Sequence, residues 1–426
     1  MKVLLISHNP FSTYQSMGKT FVSLFSEFEK AQLCQLYIYP SYPDVDAVDS
    51  CYRITDREAI KSIIPCFCVG QEVAVRQYNG DMIEDKADAK IYAKSSNHQP
   101  LKRLIRDAVW KMSHWYNRKL REWLEKEAPT CIFLAPGYAK FIYDIALKIS
   151  KERNIPVITY ICDDYYFLEK PKSMLGRLEL RSLQKKTRQI FEHTSRLVTI
   201  SEEIKNQYTN EFGVKGEVIM TGSAFEPCDN VLQKDEIKTF SYFGNIGLNR
   251  ERPLSHIGRI LDEINTEQGT DYHLDIYTRA EDEAVKSAFG DIKSIRLCGF
   301  LTGEEFEKHF FGADCLVHVE DFSKESIDLI KGSVSTKIAD SLSASIPLLA
   351  YGPSGVASIE HLKRNECAFV CTQHNELKAV VTTLIQDKNE RQRITENATD
   401  TARKYHRSGT NSIKLKEIVK QIQEKE

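Results

Sequence analysis

The chain carries almost no excess charge of either sign: 58 Lys and Arg stand against 60 Asp and Glu, a formal net charge of −2 over 426 residues. That balance argues against nucleic acid as the main partner, because a polyanion calls for a basic field. No stretch approaches the roughly 20 uninterrupted apolar residues that span a bilayer, so any membrane contact is peripheral. The 11 cysteines show no repeating spacing, and an odd count cannot pair completely within one chain, which points to the cytoplasm. Cys66-x-Cys68 and the pair Cys367 and Cys371 lack a second pair or a nearby His at structural-zinc spacing, so no zinc site is expected. The start, MKVLLISHNP, lacks the longer apolar region and small-residue cleavage site of a leader and reads as a first β-strand. No short-period repeat indicates a solenoid.

What is present is alternation. Short apolar runs alternate with amphipathic segments, the pattern of parallel sheets covered by helices, and the length exceeds the size at which one core stops growing. Strands are expected at Val3–Ser7, Gln35–Tyr39, Cys131–Ala135, Pro156–Ile161 and Arg196–Ile200. A second series follows at Thr239–Phe243, Tyr272–Tyr277, Ile295–Cys298, Cys315–Val319, Pro347–Tyr351 and Phe369–Cys371. Between the two lies GSAFEPCDNVLQKDEIK, polar and without an apolar period, the natural linker. The expected fold is α/β, with two Rossmann-like doubly wound domains, 1–221 and 239–388, facing a cleft. The linker is 222–238, and the charged helical tail 389–426 packs back on the first domain.

Residues 331–353, KGSVSTKIADSLSASIPLLAYGP, place a small, hydroxylated, cationic loop at the start of a helix that runs into a buried strand. Free backbone N–H groups, the hydroxyls of Ser333, Ser335 and Thr336, and the Lys337 ammonium gather at the positive end of the helix dipole, where anions bind. Asp340, one turn on, shares their face, and a carboxylate there can accept hydrogen bonds from a sugar's vicinal hydroxyls. The alternative is ordinary helix capping by Ser or Thr. A cation for a diphosphate beside a carboxylate for a ribose suggests a nucleotide ligand.

The motifs SYFGNIGLNRERPL, RLCGFLTGEEF, ADCLVHVE and STKIADSLSASIPLLAYGP, in this order and spacing, resemble the donor-binding domain of GT-B nucleotide-sugar glycosyltransferases, especially the retaining branch that builds bacterial surface polysaccharides. NIPVITYICDDYYF and SRLVTISEEIKNQYTNEFGVKGEVIMTGS agree in the first half. The resemblance implies a diphosphate site of Gly244, Asn245, Arg250, Ser335, Thr336 and Lys337, with Arg252 as a competing phosphate contact. It implies ribose binding at Asp340, where the family typically has Glu, and base binding at Gly299 and Phe300, with Phe300 stacking on the base or simply lying in the core. The family's earlier acidic residue falls on Gly332, leaving Glu320, Asp321, Glu325 or Asp328 to replace it, and Ser345 stands where a glycine is usual. The donor is then a nucleotide-diphospho-sugar, with no cofactor and no metal, and the acceptor a glycan or a lipid-linked molecule.

On the acceptor side, His8 and Asn9 close the first strand and Gly18 heads the next helix, a loop that in retaining relatives contacts donor phosphate or acceptor. Asp163 and Asp164 end another strand, and either carboxylate can orient an acceptor hydroxyl, act as base in an inverting reaction, or only cap a helix. Asp44-Val45-Asp46 matches a metal-binding DxD motif superficially, in a Tyr- and Pro-rich surface setting. Residues 101–123 and 170–188 interleave Lys and Arg with apolar residues, including Trp115 and Trp123. Such segments suit an anionic membrane surface or are solvated helices with Trp in the core. The expected location is therefore the cytoplasm, with the inner face of the cell membrane as its working place if these segments bind lipid. The competing functions are a P-loop nucleotide hydrolase built on Met17-Gly18-Lys19-Thr20, an epimerase of sugar nucleotides, and a non-catalytic nucleotide-sugar or glycan binder. The first lacks the required loop glycine, since that position is Thr13.

Overall fold

The computed structural model describes residues 1–76, 85–95, 99–227, 235–279 and 283–424; residues 228–234 of the expected linker lie outside them. The chain divides into two compact units, Met1–Thr221 together with Ser408–Glu426, and Gly222–Arg407.

The first unit is built on eight strands: β1 (Val3–Ser7), β2 (Leu33–Tyr37), β3 (Ser50–Arg53), β4 (Gln71–Val73), β5 (Cys131–Leu134), β6 (Val157–Ile161), β7 (Thr194–Thr199) and β8 (Gly216–Val218). They lie in the order β4-β3-β2-β1-β5-β6-β7-β8, parallel throughout except where β4 runs antiparallel to β3. β1, β2, β5 and β6 are buried along their whole length. Strands covered on both faces by helices need such continuous apolar runs. The last helix, Ser408–Gln423, belongs to this unit: Leu415, Ile418, Val419 and Ile422 enter its core, and Asn411 Nδ2 donates to the Met220 carbonyl at 2.8 Å. Each such side chain contributes roughly 1.5–3 kcal/mol on burial, enough to hold a helix whose sequence is otherwise charged.

The second unit has a six-stranded, all-parallel sheet of β9 (Thr239–Phe243), β10 (His273–Tyr277), β11 (Ile295–Gly299), β12 (Cys315–Val319), β13 (Leu348–Tyr351) and β14 (Phe369–Cys371). Its order is β11-β10-β9-β12-β13-β14. The helix Lys388–Tyr405 stays with this unit. Arg391 is buried there and donates to the carbonyls of Leu384, Ile385 and Asp235, so the chain crosses back at Arg407 and Ser408, one helix later than residue 389. Ser345 adopts a left-handed φ of 55°, the conformation for which a glycine is usual before this strand. Its hydroxyl bonds to that of Thr399 at 3.2 Å.

Candidate functional site

In an open parallel sheet, ligands gather at the carboxyl ends of the strands where the strand order reverses. In the second unit that point lies between β9 and β12, because the chain leaves β9 toward β10 on one side and returns to β12 on the other. Gly244 follows β9, Glu320 follows β12, and the helix Thr336–Ser343 begins nearby.

Gly244 takes a positive φ of 146°, and a Cβ at this position would sit 2.2 Å from Lys337 Nζ. Only glycine admits the lysine tip there. Lys337 Nζ donates to the Tyr242 hydroxyl at 3.2 Å, and that hydroxyl donates to the Asn245 carbonyl at 2.6 Å. The side-chain oxygen of Asn245 accepts from Gly247 N, so it shapes the turn. Leu248 and Asn249 are both left-handed, a strain that non-glycine residues keep only where the surroundings enforce it. The Asn249 amide is held by Asp321 and Ser326. This loop delivers Arg250, whose Nη2 meets Glu320 Oε2 at 2.9 Å and whose Nε and Nη1 reach the carbonyls of Val319 and Gly247. His318 Nε2 lies 3.4 Å from the other Glu320 oxygen.

The electrostatics follow from burial. Burial pushes the Glu320 carboxyl up, and the His318 ring and Arg250 guanidinium more than offset this, holding it below the usual range. Burial and then the nearby Arg250 lower Lys337 to about 8, against a partial opposing pull from Glu320. Two cations and one carboxylate thus share a confined space, an arrangement short of negative charge. Arg252, the alternative phosphate contact, is exposed and turns toward Glu251.

Ser335 is the N-cap of the helix Thr336–Ser343, yet its side chain makes no cap bond; its backbone N–H goes to Ser358 Oγ at 3.0 Å. The capping alternative is therefore not used by Ser335. Asp340 Oδ1 accepts from Ser223 Oγ at 2.9 Å and from Ala224 N at 3.0 Å. That carboxylate secures the start of the second unit, and ribose binding would compete with these bonds. Phe300 is exposed rather than core, and the Arg279 guanidinium lies 3.9 Å above its ring; the preceding Gly299 is left-handed. Of the acidic residues weighed in place of Gly332, Glu320 is engaged with Arg250 and His318, and Asp321 accepts from Ser323 and Asn249. Glu325 and Asp328 sit on the short helix Lys324–Ile330.

In the first unit the reversal lies between β1 and β5, which puts His8 at the corresponding position. Gly137, left-handed after β5, lies against the His8 ring. Burial, and then Arg106, lower His8 to about 3 despite Asp56, so the imidazole is neutral at ordinary pH. Its Nδ1 has no hydrogen-bond partner among the described residues. Gly18 is explained by close approach: a Cβ would lie 2.5 Å from Ser12 Cβ and 2.9 Å from the Pro10 carbonyl. Asp164 accepts from Tyr166 N, Phe167 N and the Tyr208 hydroxyl and so braces the loop after β6; no helix begins there, and the next one is capped by Ser173. Asp163 accepts from the Tyr165 hydroxyl at 3.3 Å. Asp44 accepts from Ser12 and from Thr13 N, and Asp46 pairs with Lys30. A carboxylate thus fills the loop where a P-loop would cradle phosphate.

Tyr242 and His318 were not anticipated. A Tyr inside an apolar strand reads as core, and nothing in the sequence shows that its hydroxyl receives a lysine. Of the two tryptophans in the membrane reading, Trp123 is a core residue that donates to Ser50, while Trp115 is half-buried against Tyr116; Trp110, also in the core, donates to Asp56.

No protein-family model matches the chain, and no curated protein does. Solved structures do. The UDP complex of HepE from Anabaena aligns with 99% of this chain and 100% of its own, at TM-score 0.62 and 11% identity. A sucrose-phosphate synthase from Thermosynechococcus elongatus covers 99% and 98% at TM-score 0.61 and 9% identity. An α,α-trehalose-phosphate synthase from Burkholderia xenovorans covers 99% and 100% at TM-score 0.59 and 9% identity. The chain has the fold of these GT-B glycosyltransferases over essentially its full length.

Proposed function

We propose that the protein is a glycosyltransferase that moves a sugar from a nucleotide-diphospho-sugar to a glycan or lipid-linked acceptor, in the synthesis of a bacterial surface or exopolysaccharide. The observation that carries this reading is the Lys337 ammonium lodged against Gly244 beside the Arg250–Glu320 pair. The site is rich in confined positive charge and lies where a doubly wound sheet receives a ligand. The UDP and UDP-glucose complexes of the HepE neighbour support a donor of this class.

As the glycosidic bond to the donor phosphate breaks, negative charge grows on the departing diphosphate. Arg250 and Lys337 stabilise that charge from fixed positions, together with the Thr336 amide at the helix start, and each charge-assisted bond is worth roughly 1.5–3 kcal/mol. Protein cations fill the place a divalent metal takes elsewhere, so transfer is metal-independent. Asp340 contacts the ribose in exchange for its bonds to Ser223 and Ala224, and Phe300 contacts the base. His8, neutral and with one ring nitrogen unpartnered among the described residues, handles the acceptor hydroxyl with Asp163, while Asp164 braces the loop. The reaction retains configuration, and the enzyme works in the cytoplasm in peripheral contact with an anionic membrane.

A thermal-shift screen against UDP-, GDP-, ADP- and TDP-sugars tests the reading, because a ligand that binds only the folded state raises its stability. One nucleotide class should stabilise the protein and Lys337→Ala should abolish the effect. Stabilisation by none of them would sink the proposal. Release of nucleotide without an acceptor would favour an epimerase, and binding without turnover a non-catalytic protein.

A further inference from the structure

The first unit carries an apolar stripe that its own core does not use. On the helix Pro100–Met112, Arg106 and Trp110 are buried, while Leu101, Ile105 and Met112 are each more than half exposed. With Ala108, also exposed, these residues fall within an arc of about 60° at about 100° per residue, directly opposite the buried face. Lys102 and Lys111 flank the stripe on its two sides.

The neighbouring helix, Met174–Phe191, is locked to the first by Arg103, which donates to both oxygens of Glu179 at 2.6 and 2.9 Å. Its outer face begins with Met174, 71% exposed, and Leu178, and continues with Arg181 and Lys185, both exposed; Arg188, further along, is held by the Tyr166 hydroxyl and Glu211. The acidic residues of both helices are turned inward: Glu179 pairs with Arg103 and Asp107 with Lys140. The outward field of the pair is therefore positive although the whole chain is nearly neutral.

We infer that this two-helix face docks on an anionic lipid surface, with Leu101, Ile105, Met112 and Met174 entering the headgroup boundary and the flanking lysines and arginines lying on the lipid charge. Charge complementarity selects this occupant. A second copy of the chain, seated face to face, would set the same cations against each other, whereas lipid headgroups neutralise them. The long Lys stems suit a boundary where the methylenes are buried and the ammonium stays wet. This deepens the proposed lipid-linked acceptor, but it stands on the first unit's surface alone.

The test is co-sedimentation of the full-length protein, without sugar nucleotide, with vesicles of phosphatidylglycerol and phosphatidylcholine and with pure phosphatidylcholine. Binding to the anionic vesicles should be strong at low salt and weaken as salt rises, with little binding to the neutral ones. Ile105→Glu with Met112→Glu should lower partitioning at least about tenfold, and Arg181→Glu about fivefold or more. Circular dichroism and donor-induced thermal shift should be unchanged in both variants. No binding to anionic vesicles at low salt, or wild-type binding by the Ile105→Glu/Met112→Glu variant, overturns the inference and leaves the donor-site reading standing. So does a wild-type dimer in light scattering that the same variant dissolves, because the face is then an interface between copies.

Discussion

Lys337 should cost the folded protein stability and repay it only when an anion binds. Its side chain titrates near 8 rather than at 10.5 because burial and Arg250 disfavour the charge. Below pH 8 both the folded and unfolded chains hold the proton, and the penalty is full. Between about 8 and 10.5 the unfolded chain still binds the proton while the folded one has lost it, so stability rises with pH across that window. The displacement corresponds to on the order of 3 kcal/mol, which we discount to roughly 2 kcal/mol because the residue as a whole keeps some contact with solvent. Lys337→Met keeps the length and removes the charge. It should raise stability at pH 7 by roughly 2 kcal/mol, or about 4–8 °C in melting temperature for a unit of this size, and flatten the profile between pH 8 and 10.5. The same variant should bind the donor roughly 10–100-fold more weakly, the value of one charge-assisted bond. Wild-type donor affinity, measured calorimetrically, should fall about tenfold from pH 7 to pH 9 as the free lysine loses its proton. A Lys337→Met protein less stable than wild type at pH 7, with wild-type affinity flat over that range, would refute the reasoning.

Arg250→Ala strands Glu320, which is 3% exposed, and should destabilise the protein by roughly 3–5 kcal/mol in urea unfolding; Arg250→Met with Glu320→Leu should recover much of that stability without recovering donor binding. Gly244→Val forces the Lys337 tip out of its notch, and should abolish the donor-induced thermal shift while secondary structure by circular dichroism persists. Gly18→Ala drives a methyl into Ser12 and the Pro10 carbonyl, and should lower the melting temperature by an amount equivalent to roughly 1–3 kcal/mol. Transfer activity, assayed by nucleotide release with an acceptor present, should survive EDTA unchanged; its loss would overturn the metal-free mechanism.

The parallel strands were legible because burial on both faces leaves a continuous apolar run, and three of the second unit's strands, Thr239–Phe243, Cys315–Val319 and Phe369–Cys371, fall where the sequence places them. The strands missed are those such a run cannot mark. Ser50–Arg53 ends in an arginine whose guanidinium stacks on Tyr42, and Gln71–Val73 is an exposed edge strand. Gly216–Val218, only half-buried at the other edge, has no apolar period to read. The C-terminal segment was legible as helix but not as two helices serving two units, because the side chains that divide it, Arg391 and Leu415 among them, are sorted by partners distant in sequence.

The site shows the same limit in sharper form. Gly244, Arg250 and Lys337 were singled out by motif and charge, and the fold brings them together across almost a hundred residues of chain. What no one-dimensional pattern carries is the balance among them, namely that Glu320 is spent on Arg250 and that a tyrosine hydroxyl receives the lysine. A buried cation without a full counter-charge is unfavourable for a scaffold, and an interior assembled for stability alone would replace it with an apolar side chain of similar volume. A strained loop at Leu248 and Asn249, a glycine kept only to admit a lysine, and a lysine held near its titration point all raise the free energy of the empty protein. Under the proposed function, an anion bound beside Lys337 and Arg250 would offset the positive charge that the lysine contributes.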